Sequence, residues 1–207
     1  MGKFINTGNN GFQKARNDEY IDKSELIGFV NRALNTEHNM FCLTRARRFG
    51  KSMAAKMLCA YYDHSCDSQK LFEDLKISQD ATFEKYLNQY PVIYLDITYF
   101  TSTARLGDDL VYRMQRELLE DLQETYPDIA LTNNKPLIEN LLQIAEHTQQ
   151  RFIMVIDEWD AICREADSQP EMMRNYVDWL RSLFKTPLTD RVFAGVYMTG
   201  ILPIVQY

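Results

Sequence analysis

Between Met40 and Tyr62 the chain passes from a short apolar run, Met40–Leu43, through Arg45-Ala46-Arg47-Arg48-Phe49-Gly50-Lys51-Ser52 and into good helix formers, Met53, Ala54, Ala55, Met57 and Leu58. Strand, loop and helix in that order is how a polypeptide cradles a chain of phosphates. Gly50 lets backbone N–H groups close on phosphate oxygens, Lys51 can bridge the outer two phosphates, and the Ser52 hydroxyl can ligate Mg²⁺. The backbone from Gly50 to Met53 would begin the helix and add its positive dipole end. Arg45 stands where the full pattern G-x-x-x-x-G-K-[ST] has glycine, so these eight residues alone also fit a basic turn before a helix.

Phe152-Ile153-Met154-Val155-Ile156-Asp157-Glu158 narrows the choice. An uninterrupted apolar run is the signature of a strand buried on both faces, and this one ends in two carboxylates, a Walker B pattern. Asp157 at the strand end suits the Mg²⁺ shell, and Glu158 suits a base that orients and deprotonates an attacking water. The competing reading is that the acidic pair caps the next turn.

With 207 residues, of which 45% are hydrophobic, the chain suits one α/β domain with a substantial core. No apolar run approaches the roughly 20 residues that span a bilayer, and Met1–Gly11 has no signal-peptide core, so a cytoplasmic location is expected. The four cysteines, Cys42, Cys59, Cys66 and Cys163, form no C-x-x-C pair and read as reduced thiols; His64 beside Cys66 lacks the partners of a zinc site. A net charge of -6 argues against a nucleic-acid footprint over the whole surface, and the basic residues Arg45, Arg47, Arg48 and Lys51 cluster at the proposed phosphate loop instead.

Residues 1–16, rich in Gly and Asn, read as a flexible lead-in, and 17–207 as one domain. Tyr20 onward has a strand-like start followed by Leu26, Ile27, Val30 and Leu34 at helical spacing, with Asp22 or Ser24 as N-cap. Val92–Ile97 is the second strand, and Asp96 near its end reads as a cap or turn residue in preference to a site residue. Leu106–Tyr126 predicts a long amphipathic helix, Pro136–His147 another, and Glu171–Phe184 a third with a stripe of Met173, Val177, Leu180 and Phe184. Val192–Gly200 is the fourth strand. Alternating strands and helices imply a parallel sheet with helical crossovers.

These residues together resemble the bacterial predicted AAA-ATPase-like family. Tyr20-Ile21-Asp22-Lys23-Ser24 resembles its Y-V-D-K-T motif, the Arg45–Ser52 loop its R-P-R-R-F-G-K-S, Asp157-Glu158-Trp159-Asp160 its D-E-Y-D, and Thr199-Gly200 its T-G. Arg45 is then the family's own variant, and Ala46 departs from its proline. The resemblance implies a three-layer P-loop NTPase core with a parallel sheet of order 5-1-4-3-2, ending here before strand 5 and therefore incomplete at its C-terminus. It implies ATP and Mg²⁺ as ligands, with Arg45, Arg47, Arg48, Phe49, Gly50, Lys51, Ser52 and Met53 around the phosphates and Ser52 and Asp157 on the metal. Lys51 and Glu158 would be catalytic. Thr199 would contact the γ-phosphate or the attacking water, or else be a strand-end threonine satisfying backbone groups. Tyr20 would stack on adenine, or else staple the following helix. A C-terminal PD-(D/E)XK-type nuclease domain in a longer parent protein is a further implication of the resemblance. Three functions compete: an ATP-hydrolysing motor or switch domain, a nucleotide-gated interaction module with negligible turnover, and, by analogy with the nuclease partner, a nucleic-acid-processing enzyme, to which the acidic balance gives little support.

Overall fold

Phe152 to Ile156 present no polar side chain, and every residue from Phe152 to Asp157 is buried, so this strand can only be internal to its sheet. In the computed structural model, which describes residues 2–17, 20–104, 109–165 and 170–202, it is one of four. β1 (Met40–Thr44), β2 (Val92–Asp96), β3 (Phe152–Asp157) and β4 (Phe193–Gly200) form an all-parallel sheet of order β1-β4-β3-β2. The last strand in sequence is thus inserted between the first and third, as the family resemblance implies for strands one to four. Helices cover both faces.

Strand alternation divides the core in two. Ile93, Leu95, Met154, Ile156, Val196 and Met198 face the helices Leu110–Thr125, Leu137–Thr148 and Pro170–Phe184. Val92, Ile153, Val155, Ala194 and Tyr197 face the helices Asn10–Arg16, Glu25–Ala33 and Lys51–Tyr62. A register shift lets β4 keep both faces filled: Phe152 pairs with Phe193 but Ile153 pairs with Gly195, which leaves Ala194 as an extra residue. The Ala194 carbonyl accepts from Asn35 N and from Asn39 Nδ2 at 2.9 and 3.2 Å. A Cβ on Gly195 would lie 2.6 Å from Leu34 Cδ2, so a larger residue there would have to displace the Leu34 side chain that follows the second helix.

Several expectations are corrected. The segment read as a flexible lead-in is packed: Phe4, Ile5 and Phe12 are buried, and Ile5 makes an antiparallel bridge to Ile93. Asn6 N donates to Val92 O and Tyr94 N to Phe4 O, both at 2.8 Å. The Asp121 carboxylate accepts from the N–H groups of Lys3, Phe4 and Ile5. The Gly and Asn residues that suggested looseness instead supply tight turns, with Asn6 at φ 51° and Gly8 at φ 75°. Tyr20–Ser24 is not a strand, because the Asp22 carboxylate closes a turn on Ser24 N and also takes Lys76 N. The long amphipathic helix starts at Leu110, capped by Asp109; residues 106–108 of the expected span lie outside the described residues. Asp96 caps the helix Ile97–Ser102 by accepting from Thr98 N, as preferred from its sequence position.

Candidate functional site

The carboxyl ends of the strands are in register, Asp96 opposite Asp157 and Leu43 opposite Thr199, so the residues that follow them converge at one edge of the sheet. In open parallel sheets this is where ligands bind. β1 leads there into Arg45–Gly50, and Arg45 N donates to Gly200 O at 3.1 Å, tying the loop to the end of β4. Gly50 caps the helix Lys51–Tyr62 at φ 75°, a left-handed conformation that costs glycine little and lets the loop turn sharply into the helix. Arg48 also has positive φ, 68°.

Lys51 is the centre of the arrangement. It is only 4% exposed, yet its ammonium donates to the carbonyls of Arg45 and Ala46 at 3.1 and 3.2 Å and lies 3.4 Å from Glu158 Oε1. A buried cation is tolerated only with such partners. Here they are loop carbonyls on one side and a carboxylate from the far strand on the other.

The two acidic neighbours diverge. Asp157 continues β3 and is buried; the Thr199 hydroxyl donates a hydrogen bond to its Oδ1. Glu158 leaves the strand at φ 52°, a strained conformation for a residue with a Cβ, and its N–H donates to Thr199 Oγ1 at 3.2 Å. Thr199, itself fully buried, therefore joins both acidic residues through one hydroxyl. Burial raises the Asp157 carboxyl above the ordinary range and the Asp96 and Glu158 charges raise it further, while the Thr199 and Ser52 hydroxyls oppose the rise. Burial also raises the Tyr94 and Tyr197 phenols, which feel the Asp157 charge.

Ser52 and Met53 lie in the first turn of the helix that Gly50 caps, Ser52 exposed and Met53 half-buried. Ser52 and Asp157 thus offer hard oxygens next to each other, with no cage of three or more His, Cys, Asp or Glu among the described residues. That donor set fits Mg²⁺, which keeps most of its waters and takes one or two protein oxygens plus phosphate.

The side chains of the other candidates make no hydrogen bond or ion pair with this cluster among the described residues. Arg45, Arg47, Arg48 and Phe49 are exposed, and among the described residues neither Arg47 nor Arg48 has an ion pair that would order the loop. Tyr20 is half-buried, its ring edge-on to Phe12 with centroids 5.4 Å apart and its hydroxyl on Met57 Sδ, so it serves helix packing. A hollow of about 520 Å³ lined by His38, Asn39, Pro187 and Asp190 among others lies at the amino-terminal ends of β1 and β4, away from all of these groups.

Sequence reasoning assigned no role to two cations that the fold brings in. Lys23 Nζ donates to Phe49 O at 3.0 Å and fastens the turn before the second helix to the tip of the loop. Arg164 reaches Glu158 Oε2 at 2.7 Å and Asp160 Oδ1 at 3.0 Å. The i,i+4 spacing of Asp160 and Arg164 was the legible signal for half of that contact.

A parallel sheet of order β1-β4-β3-β2 with helices on both faces and a Gly-Lys-Ser turn at the end of β1 defines a P-loop-like α/β core. Within that class, the chain belongs to the AAA-ATPase-like family, described as Predicted AAA-ATPase, which matches residues 6–207. No curated protein matches the chain. No helix among the described residues is long and apolar enough to cross a membrane.

Proposed function

We propose that this chain binds Mg²⁺–ATP on the Gly50–Met53 turn and hydrolyses it, serving as the motor or switch domain of a larger protein. The observation that carries the proposal is the pairing of the buried Lys51 ammonium with the Glu158 carboxylate across the mouth of the loop. A cation held by exchangeable carbonyls is ready to move to phosphate, and its departure leaves a carboxylate facing the same space. The family description supports an adenine nucleotide.

In this reading backbone N–H groups from Gly50 to Met53 and the Lys51 ammonium bind the triphosphate, with the exposed Arg45, Arg47 and Arg48 adding positive potential. Ser52 and Asp157 would hold Mg²⁺, which would supply charge neutralisation on the phosphate oxygens. Glu158 accepts a proton from water as the water oxygen bonds to the γ-phosphorus. The bond from phosphorus to the β–γ bridging oxygen breaks and its electron pair leaves with ADP. Glu158 then returns the proton to solvent, so ATP and water give ADP, phosphate and a proton. Thr199 keeps Asp157 and Glu158 in fixed relation.

A second reading, a nucleotide-gated interaction module with negligible turnover, is favoured by one observation: both Glu158 oxygens are engaged by cations. Single-turnover hydrolysis of Mg²⁺–ATP separates the two. The hydrolase reading expects ADP formation that falls roughly 10²- to 10⁴-fold in Glu158→Gln while binding is retained. Binding without hydrolysis in the wild-type chain supports the module instead. A nuclease effector, implied by the family resemblance alone, remains part of the proposal about the larger protein.

A further inference from the structure

Arg164 is the cation at this site that neither the phosphates nor the metal requires. Its guanidinium is one-fifth exposed and is held from two sides. One nitrogen is 3.0 Å from Asp160 Oδ1, and a second is 2.7 Å from Glu158 Oε2. Asp160 is fully buried, and its other oxygen accepts from Ile201 N and Leu202 N at 3.0 and 2.7 Å, where the chain leaves β4. The fork is therefore aimed by a carboxylate that the backbone has already fixed. Planar, two-pronged geometry of this kind is what arginine offers and lysine does not.

Glu158 is correspondingly divided. Oε2 belongs to Arg164, whereas Oε1 faces Lys51 at the longer distance of 3.4 Å. Its backbone is fixed as well, by φ 52° and by the hydrogen bond to Thr199. When a triphosphate draws Lys51 away, Oε1 loses its partner and Oε2 keeps its own.

We propose that Arg164 is a positioning residue that anchors one oxygen of Glu158 so that the other is presented to the attacking water once Lys51 has moved to the phosphates. This inference rests on the reading of Glu158 as the base. It also turns the arginine inward: a guanidinium occupied by Glu158 and Asp160 of its own chain is part of its own site.

The test is steady-state and single-turnover hydrolysis of Mg²⁺–ATP by the chain carrying Arg164→Ala, Arg164→Lys, Glu158→Gln, or Arg164→Ala together with Glu158→Gln, with folding checked by circular dichroism. Misplacing a reacting group by about 1 Å costs on the order of 10²-fold, so Arg164→Ala should lower kcat by roughly 10- to 100-fold. KM for Mg²⁺–ATP should stay within about twofold, because ground-state binding is not the interaction removed. Arg164→Lys, which keeps the charge without the fork, should recover part of the loss, and it carries the test if the alanine variant does not fold. In the Glu158→Gln background Arg164→Ala should lower the rate no further. Wild-type kcat in both folded Arg164 variants, a raised KM with unchanged kcat, or a fully additive loss in the double variant overturns the role of Arg164 while leaving Glu158 as base. Wild-type turnover by Glu158→Gln, or no turnover by the unsubstituted chain, overturns the hydrolase reading itself and Arg164's role with it.

Discussion

Replacing Lys51 by alanine gives the most direct reading of the loop. In the free chain the ammonium already has two carbonyl partners and one carboxylate, so nucleotide binding exchanges these contacts for phosphate oxygens and adds none outright. A charge-assisted hydrogen bond contributes about 1.5–3 kcal/mol, and the exchange places the net loss in the lower half of that range. At 1.4 kcal/mol per decade, Lys51→Ala should weaken Mg²⁺–ATP roughly ten- to fortyfold. The fold should tolerate the change: Glu158 keeps Arg164, and the Arg45 and Ala46 carbonyls lie in an exposed loop where water can replace the ammonium. Titration calorimetry at fixed ionic strength measures the affinity, and urea unfolding of the same samples checks that stability stays within about 1 kcal/mol. Equal affinity in the wild-type and substituted chains, with both folded, would refute the phosphate role of Lys51. An equal loss of affinity and of folding stability would show that the lysine only supports the loop.

Asp157→Asn bears on stability as well as on the metal. Because burial raises the folded-state pKa of Asp157, the native form favours its proton; the associated stability is complete below the unfolded pKa and is lost as pH rises through the folded one. The asparagine variant, still able to accept from Thr199, should therefore melt higher than wild type at neutral pH, with an advantage that shrinks on acidification, and it should lose the Mg²⁺-dependent part of ATP affinity; thermal melts across pH and titrations with and without Mg²⁺ measure both. Asp121→Ala removes the acceptor of three backbone N–H groups and should cost about 1–3 kcal/mol in urea unfolding, with faster hydrogen exchange at Phe4 and Ile5 than elsewhere in the sheet. Gly195→Val drives side-chain atoms into Leu34 and should destabilise by at least the 1–3 kcal/mol typical of overpacking, seen as a lower urea midpoint with the same slope.

The strands were legible because each is nearly continuous in apolar residues, and burial on two faces leaves no other assignment for Phe152–Ile156. The convergence of the Gly-Lys-Ser turn and the acidic pair at one end of the sheet was legible because each follows directly on an apolar run that reads as a strand. The strand order came from resemblance, since periodicity carries no information about which strands are neighbours. Burial of Phe4 and Ile5 was hidden because the carboxylate that takes their N–H groups, Asp121, lies far along the chain with no local signature, and that of Phe12 because its ring stacks on the distant Phe72. Arg164 had no signal in the sequence beyond its spacing from Asp160, and it is the fold that places its fork beside Glu158. The basic loop residues Arg47 and Arg48 illustrate the converse: charge clustering was plain in the sequence, but no carboxylate among the described residues meets them.

The two borders of the sheet are not equivalent. Beside β2, Phe4 to Asn6 already occupy hydrogen-bonding positions, so that side is closed to any newcomer. Beside β1, the outward side is uncovered among the described residues, with Met40 and Cys42 exposed. The border strand without a described neighbour on its outer side is therefore the one whose next residues are Arg45 to Gly50. Thr44 passes directly into Arg45–Gly50, so the peptide links that shape the Gly-Lys-Ser turn hang from a border strand, whereas Asp157 and Thr199 hang from interior ones.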